Sequence, residues 1–207
     1  MGKRENNFKE FVHKKYGEFK HPKISRIEIE NSKYIKNVTE VYKKLNGQYL
    51  ELPIGYGSWD ISTKNFIIEI DEERHFNRYR KQTLESPFYK SSKLFPLENY
   101  NGYCDKFELN CIKSASWGGN WKNISTEKMF EKSNVDGNLN NSGSSRWKQR
   151  AYYDFLKDVT SEILKIPVIR ISIYDLHKGL SVNQLLEENN LKYLDELLKH
   201  HLERHSQ

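Results

Sequence analysis

The stretch that most constrains the fold is residues 58–71, Ser-Trp-Asp-Ile-Ser-Thr-Lys-Asn-Phe-Ile-Ile-Glu-Ile-Asp. Phe66, Ile68 and Ile70 alternate with Asn65, Ile67, Glu69 and Asp71, the period of two that marks a β-strand and sets Glu69 and Asp71 on one face. The polar residues 62–65 predict a turn back onto residues 58–61. With Ile61 paired to Phe66, Asp60 faces Ile67 and joins the acidic face, because directly opposed residues share a face. Diagonal neighbours lie roughly 7–8 Å apart, a gap that two carboxylates close around one divalent ion. Like charges placed this tightly repel unless a cation neutralises them. Mg²⁺ suits such a site, since it takes one or two protein carboxylates together with water and phosphate oxygens. The implied chemistry is phosphodiester hydrolysis; the competing reading is a solvated polar face on a half-exposed hairpin.

The 207 residues suit one domain with an N-terminal helical arm over about 1–36 and C-terminal helices over about 181–207. With 30% charged and 13% aromatic residues the composition is that of a soluble globular protein. The net charge is +6, and the first 23 residues hold seven Lys/Arg against three Glu, an asymmetry that suits a polyanion. No apolar run reaches membrane-spanning length and no apolar signal segment follows Met1, so the expectation is a cytoplasmic protein with no membrane partner. Cys104 and Cys111 fit neither a zinc knuckle nor a redox pair and read as reduced thiols. His200, His201 and His205 read as solvated residues of a polar terminal helix.

Helical spacing of Phe8, Phe11, Val12 and Tyr16 predicts a helix over 5–16 that stops at Gly17. Another is predicted over 37–46, capped by Asn37 with Glu40 in a capping box and ended by Gly47. Residues 48–54 read as a strand, 72–84 as a helix carrying Arg74, Arg78 and Arg80, and 106–112 as an isolated strand-like piece. The Gly/Asn/Ser-rich residues 136–145 read as a loop. Ser144 or Ser145 caps the strongest helical pattern, where Trp147, Ala151, Phe155, Val159 and Ile163 recur every four residues, with Arg146, Lys148, Gln149 and Arg150 on its first turns. A buried strand over 166–174 and helices over 182–188 and 191–204 complete the order. Helix, three strands, helix, strand, helix makes an α/β fold with a mixed central β-sheet flanked by helices.

These residues resemble the PD-(D/E)XK nuclease superfamily, and within it the type II restriction endonucleases. The resemblance covers the element order of residues 37–174, with the motif itself at 60–71. It implies a restriction endonuclease-like αβββαβ core and Mg²⁺, replaceable by Mn²⁺, held by Asp60, Glu69 and the Ile70 carbonyl. It implies double-stranded DNA as substrate and partner, and a restriction system of a prokaryotic cell as the setting. Trp59 stands where the family has Pro, and Asp71 where it has Lys, so Asp71 or a migrated Lys148 or Lys64 is the residue expected to orient the water. Glu40 resembles an accessory metal-site acid of some members. Gln149 and Tyr153 resemble the Gln-x-x-x-Tyr pattern of the RecB-like branch.

For DNA binding the expected set is Arg146, Lys148, Gln149 and Arg150 at one helix start, with Arg74 and Arg78. A homodimer is expected because one metal site cuts one strand of a duplex, with the leucines of the last two helices as candidate interface or as packing on the subunit's own sheet. Alternatives are a repair or recombination nuclease of the same superfamily, a ββα-metal nuclease using His75 and Asn77, and a non-catalytic basic nucleic-acid-binding protein.

Overall fold

The computed structural model describes residues 3–21, 23–92 and 94–205; residues 1–2 of the expected arm, residues 206–207 and the His205 side chain lie outside the described residues. The helices are α1 (Lys3–Tyr16), α2 (Arg26–Glu30), α3 (Ile35–Lys44), α4 (Arg78–Leu84), α5 (Phe88–Ser91), α6 (Leu97–Ala115), α7 (Ile124–Phe130), α8 (Ser145–Leu164), α9 (Val182–Glu187) and α10 (Leu191–His205). The strands are β1 (Ile61–Ser62), β2 (Ile67–Asp71), β3 (Val168–Ser172), β4 (Leu176–His177) and β5 (Leu180–Ser181). The fold is mixed α/β: β1, β2 and β3 form one sheet in that order and β4 pairs with β5. No helix among the described residues is long and apolar enough to cross a membrane. The chain divides into two compact units, one drawn from Met1–Lys23, Ser58–Glu72 and Leu164–Gln207, the other from Ile24–Gly57 and Glu73–Ile163.

In the first unit β1 runs antiparallel to β2 and β3 runs parallel to it. The register differs from the expected one by two residues, with Ile61 opposite Ile68 and Ser62 opposite Ile67. The cause is Thr63. Its N–H and hydroxyl both donate to the Phe66 carbonyl, at 3.0 and 2.8 Å, and its hydroxyl accepts from Phe66 N–H, so the turn closes over 63–66. A shift of two keeps every side chain on its expected face, and it sets Asp60 opposite Glu69 instead of Ile67. Ile61, Ile68, Ile70, Ile169 and Ile171 form the face that packs with Phe8 and Val12 of α1 and with Leu185, Leu194 and Leu198 of α9 and α10. Each buried leucine contributes roughly 1.5–3 kcal/mol. The leucine stripe therefore belongs to this unit's own core and is not an exposed dimer face. Helix α1 ends where the sequence predicts, at Gly17, whose φ of +79° closes the last turn through an N–H donated to the His13 carbonyl at 2.9 Å.

The second unit departs further from expectation. Residues 48–54 form no strand: Gln48 N–H goes to the Met129 carbonyl and Tyr49 N–H to the Tyr42 hydroxyl, and Pro53 has no N–H to give. Helix α3 starts earlier than expected, at Ile35, which places Asn37 and Glu40 inside it and removes the capping box. Gly47 follows it for a steric reason, since a Cβ there would sit 2.3 Å from the Tyr42 ring. The strand-like residues 106–112 lie inside α6, whose buried stripe is Tyr100, Cys104, Cys111 and Ala115. Helix α8 occupies nearly its predicted span, with Ser144 Oγ accepting from Trp147 N–H at 3.2 Å. Trp121 and Trp147 pack edge to face at 5.1 Å, as do Tyr42 and Phe130 at 5.4 Å.

Candidate active site

Asp60 and Glu69 meet at the open end of the β1–β2 hairpin. Asp60 N–H donates to Glu69 Oε1 at 3.1 Å, and Ile70 N–H donates to Asp60 Oδ2 at 3.0 Å. The Asp60 side chain thus takes the Ile70 amide that would otherwise extend the ladder, which is why β1 spans only Ile61–Ser62. Glu69 is 2% exposed and Asp60 half-buried. The expected convergence of Asp60 and Glu69 is realised as direct opposition, closer than the diagonal relation that the expected register gives.

Asp71 lies two residues on, on the same face, but it is committed elsewhere. Arg170, at the middle of β3, donates from Nη1 to Asp71 Oδ1 at 2.8 Å. Arg170 is also the parallel-register partner of Glu69, so this face of β2 and β3 carries two acids and one guanidinium, with Asp60 adjoining from just before β1. The sequence held a signal for it, a lone arginine in the apolar alternation of residues 166–174. Asp60, Glu69 and Asp71 do not offer three ligand atoms within 4.8 Å of one another.

The donor set fits a hard divalent ion. The Glu69 carboxylate accepts from the backbone of Asp60 and the Asp60 carboxylate from the backbone of Ile70, and the second oxygen of Asp60 carries no hydrogen bond among the described residues. Oxygen-only donors of this kind suit Mg²⁺ or Mn²⁺ and do not suit a soft metal.

Residues 40–188 match the model of a family of unknown function, DUF7255. The chain belongs to that family. It matches no curated protein and no solved structure.

The DUF7255 match spans every expected site residue, including those of the second unit. Glu40 sits on α3, with Lys36 3.9 Å away on the surface. Lys64 lies in the 63–66 turn, at the opposite end of the hairpin from Asp60. Lys148 is buried and donates to Glu131 Oε1 at 2.7 Å, with the Tyr79 ring 5.7 Å away. Burial pushes the Glu131 carboxyl up, but its bonds to Lys148 and Asn46 override that and hold it below the ordinary carboxylate range. Gln149 is also buried, accepting from Arg146 and donating to the Tyr153 hydroxyl at 3.2 Å, so the Gln-x-x-x-Tyr pattern is a real contact. The start of α8 is therefore not the exposed basic face expected. Its Trp147, Lys148, Gln149 and Ala151 are all buried, because this helix runs through the unit's core.

Arg78 is held by Glu108 through three hydrogen bonds of 2.8–2.9 Å. Asn77 caps α4, accepting from Tyr79 and Arg80 N–H groups and donating to the Arg74 carbonyl, and no strand carries His75, whose Nδ1 lies 2.8 Å from Asp154 Oδ2. The ββα-metal alternative loses its ligand and its strand. Arg74, Arg146 and Arg150 remain without an ion pair among the described residues.

Proposed function

We propose that this DUF7255 chain is a Mg²⁺-dependent endonuclease that hydrolyses phosphodiester bonds of double-stranded DNA on a restriction endonuclease-like core, Mn²⁺ replacing Mg²⁺. The carrying observation is the opposition of Asp60 and Glu69 across the β1–β2 hairpin, beside a parallel β3. The order α3, β1, β2, α8, β3 supports the same core with its first strand replaced by the irregular residues 48–54.

In this reading Asp60, Glu69 and the Ile70 carbonyl hold the ion, which when bound lowers the pKa of its water and neutralises charge developing on the phosphate. The backbone bonds to Asp60 and Glu69 fix both carboxylates before any ligand arrives, so little ordering remains to be done at the moment of binding. Arg170 brings to this face, from the neighbouring strand, the positive charge that the family pattern places two residues after the Glu. Asp71 holds Arg170 in place and is a positioning residue. Two copies of the chain, each cutting one strand, match the two-fold symmetry of a duplex.

The test is incubation of the purified protein with supercoiled plasmid and Mg²⁺ or Mn²⁺, followed by sequencing of the ends. Ion-dependent nicking or linearisation is expected, with fixed ends for a restriction enzyme and scattered ends for a repair-type nuclease. Cutting confined to RNA or single strands overturns the substrate, and no cutting of any nucleic acid with either ion overturns the enzyme.

A further inference from the structure

Arg26, Arg78, Arg80 and Arg170 each form an ion pair with a carboxylate. Arg74, Arg146 and Arg150 form none among the described residues, although none of the three is fully exposed. Arg74 donates only to Asn120 Oδ1, at 3.3 Å, and Arg146 only to Gln149. No hydrogen bond to the Arg150 side chain occurs among the described residues.

The three converge within the second unit. Arg146 and Arg150 are one turn apart on α8, and Asp154 follows one turn later. The His75–Asp154 contact of 2.8 Å fixes the short turn Glu73–His75, and with it Arg74, beside that stripe. Arg74 reaches Asn120 while the backbone N–H of Arg146 donates to the Trp121 carbonyl at 3.2 Å, so both arginines are tied to adjacent residues of one loop. Burial, together with the like charges of Arg146 and Arg74, pulls Arg150 below the ordinary arginine value, and Asp154 opposes them. That one carboxylate is already engaged by His75. A folded chain that gathers these three guanidiniums beside an acid already engaged by His75, while it pairs the buried Arg80 and Arg170, has left this charge to be matched by an anion from outside.

We propose that Arg74, Arg146 and Arg150 form a phosphate-binding site. The planar guanidinium fork matches phosphate oxygens in bidentate geometry, and three such forks offer more donors than a carboxylate could use. The phosphate belongs either to a nucleic-acid backbone or to a free phosphate or phosphomonoester. The site stands whether or not the chain cuts DNA.

The experiment compares wild type, Arg150→Gln, the triple Arg74→Gln/Arg146→Gln/Arg150→Gln and, as a control on a paired arginine, Arg78→Gln, all without divalent ions. Thermal unfolding is followed in sodium phosphate against sodium chloride of equal ionic strength. Anisotropy of a labelled duplex is followed against salt. In phosphate-free buffer Arg150→Gln should melt at or above the wild-type temperature, because substitution relieves desolvation and like-charge repulsion. A nucleic-acid source predicts weaker duplex binding by the triple variant, with the log–log salt slope flatter by about 2–3 units for three lost contacts. A free-phosphate source predicts instead that phosphate raises the wild-type melting temperature, that the triple variant loses this response, and that duplex binding is unchanged. The proposal is overturned if neither response distinguishes the triple variant from wild type. It is equally overturned if Arg150→Gln melts lower in phosphate-free buffer and keeps the wild-type responses, which would make Arg150 a structural residue.

Discussion

Arg170 and Asp71 face each other on adjacent parallel strands, Nη1 to Oδ1 at 2.8 Å, with side chains 1% and 2% exposed. A water-activating acid needs access to its water, whereas a buried acid bonded to a buried guanidinium is part of the fold. Asp71→Asn should therefore destabilise the protein by about 3–5 kcal/mol, the usual cost of stranding a buried charge. Urea unfolding measures it. Replacing both partners with isoleucine should cost much less than either single change, because no uncompensated charge remains. Unaltered stability in Asp71→Asn would return Asp71 to a catalytic role.

The Glu131–Lys148 pair predicts an acid limb in the stability profile. Glu131 titrates below its ordinary value of 4.5 despite burial, through its bonds to Lys148 and Asn46. A carboxyl depressed on folding adds stability that is fully present above that value and is lost as pH falls through the lower folded value. Glu131→Gln should therefore flatten the pH dependence of the urea midpoint below about pH 4.5 and leave it unchanged in shape near neutrality. Lys148→Met should act in the same direction. A profile identical to wild type would mean that the pair forms no bond in solution.

The leucines of α10 make a prediction about assembly. Leu198 is 0% exposed within its own core, so Leu198→Ala should cost about 2–5 kcal/mol of unfolding free energy and leave the oligomeric mass unchanged in conditions where the protein stays folded. Light scattering and chemical denaturation separate the two effects. A drop in mass at unchanged stability would restore the stripe as an interface.

The faces of the hairpin were legible in the sequence because a strand's period of two survives a register error of two residues. The register itself was not, since it depends on Thr63 closing the turn with its own side chain. Helix α8 was legible from large apolar residues at every fourth position. Helix α6 was hidden because its buried stripe uses Tyr100, Cys104, Cys111 and Ala115 among polar neighbours, a pattern without the leucines that announce a helix. At the candidate site, the shared face of Asp60 and Glu69 was readable from spacing; their direct opposition was not. Which cations are spent on pairing was not readable either, because Arg78 finds Glu108, Lys148 finds Glu131 and Arg170 finds Asp71 far along the chain. Arg170 was readable only as an oddity in an apolar run.

The central claim is that Asp60 and Glu69 hold a catalytic ion. The most direct measurement is plasmid cleavage in Mg²⁺ by wild type and Glu69→Gln, with thermal stability of both recorded with and without Ca²⁺. The Gln carbonyl can still accept from Asp60 N–H, so the metal-free variant should melt at the wild-type temperature or slightly above it, as one charge leaves a like-charged pair. Cleavage should fall by orders of magnitude. Ca²⁺ should stabilise wild type more than the variant, since a ligand of the folded state raises stability by mass action. Cleavage that survives in Glu69→Gln, with equal Ca²⁺ stabilisation of both proteins, would contradict the account and leave the acid pair as a clasp that ends the hairpin.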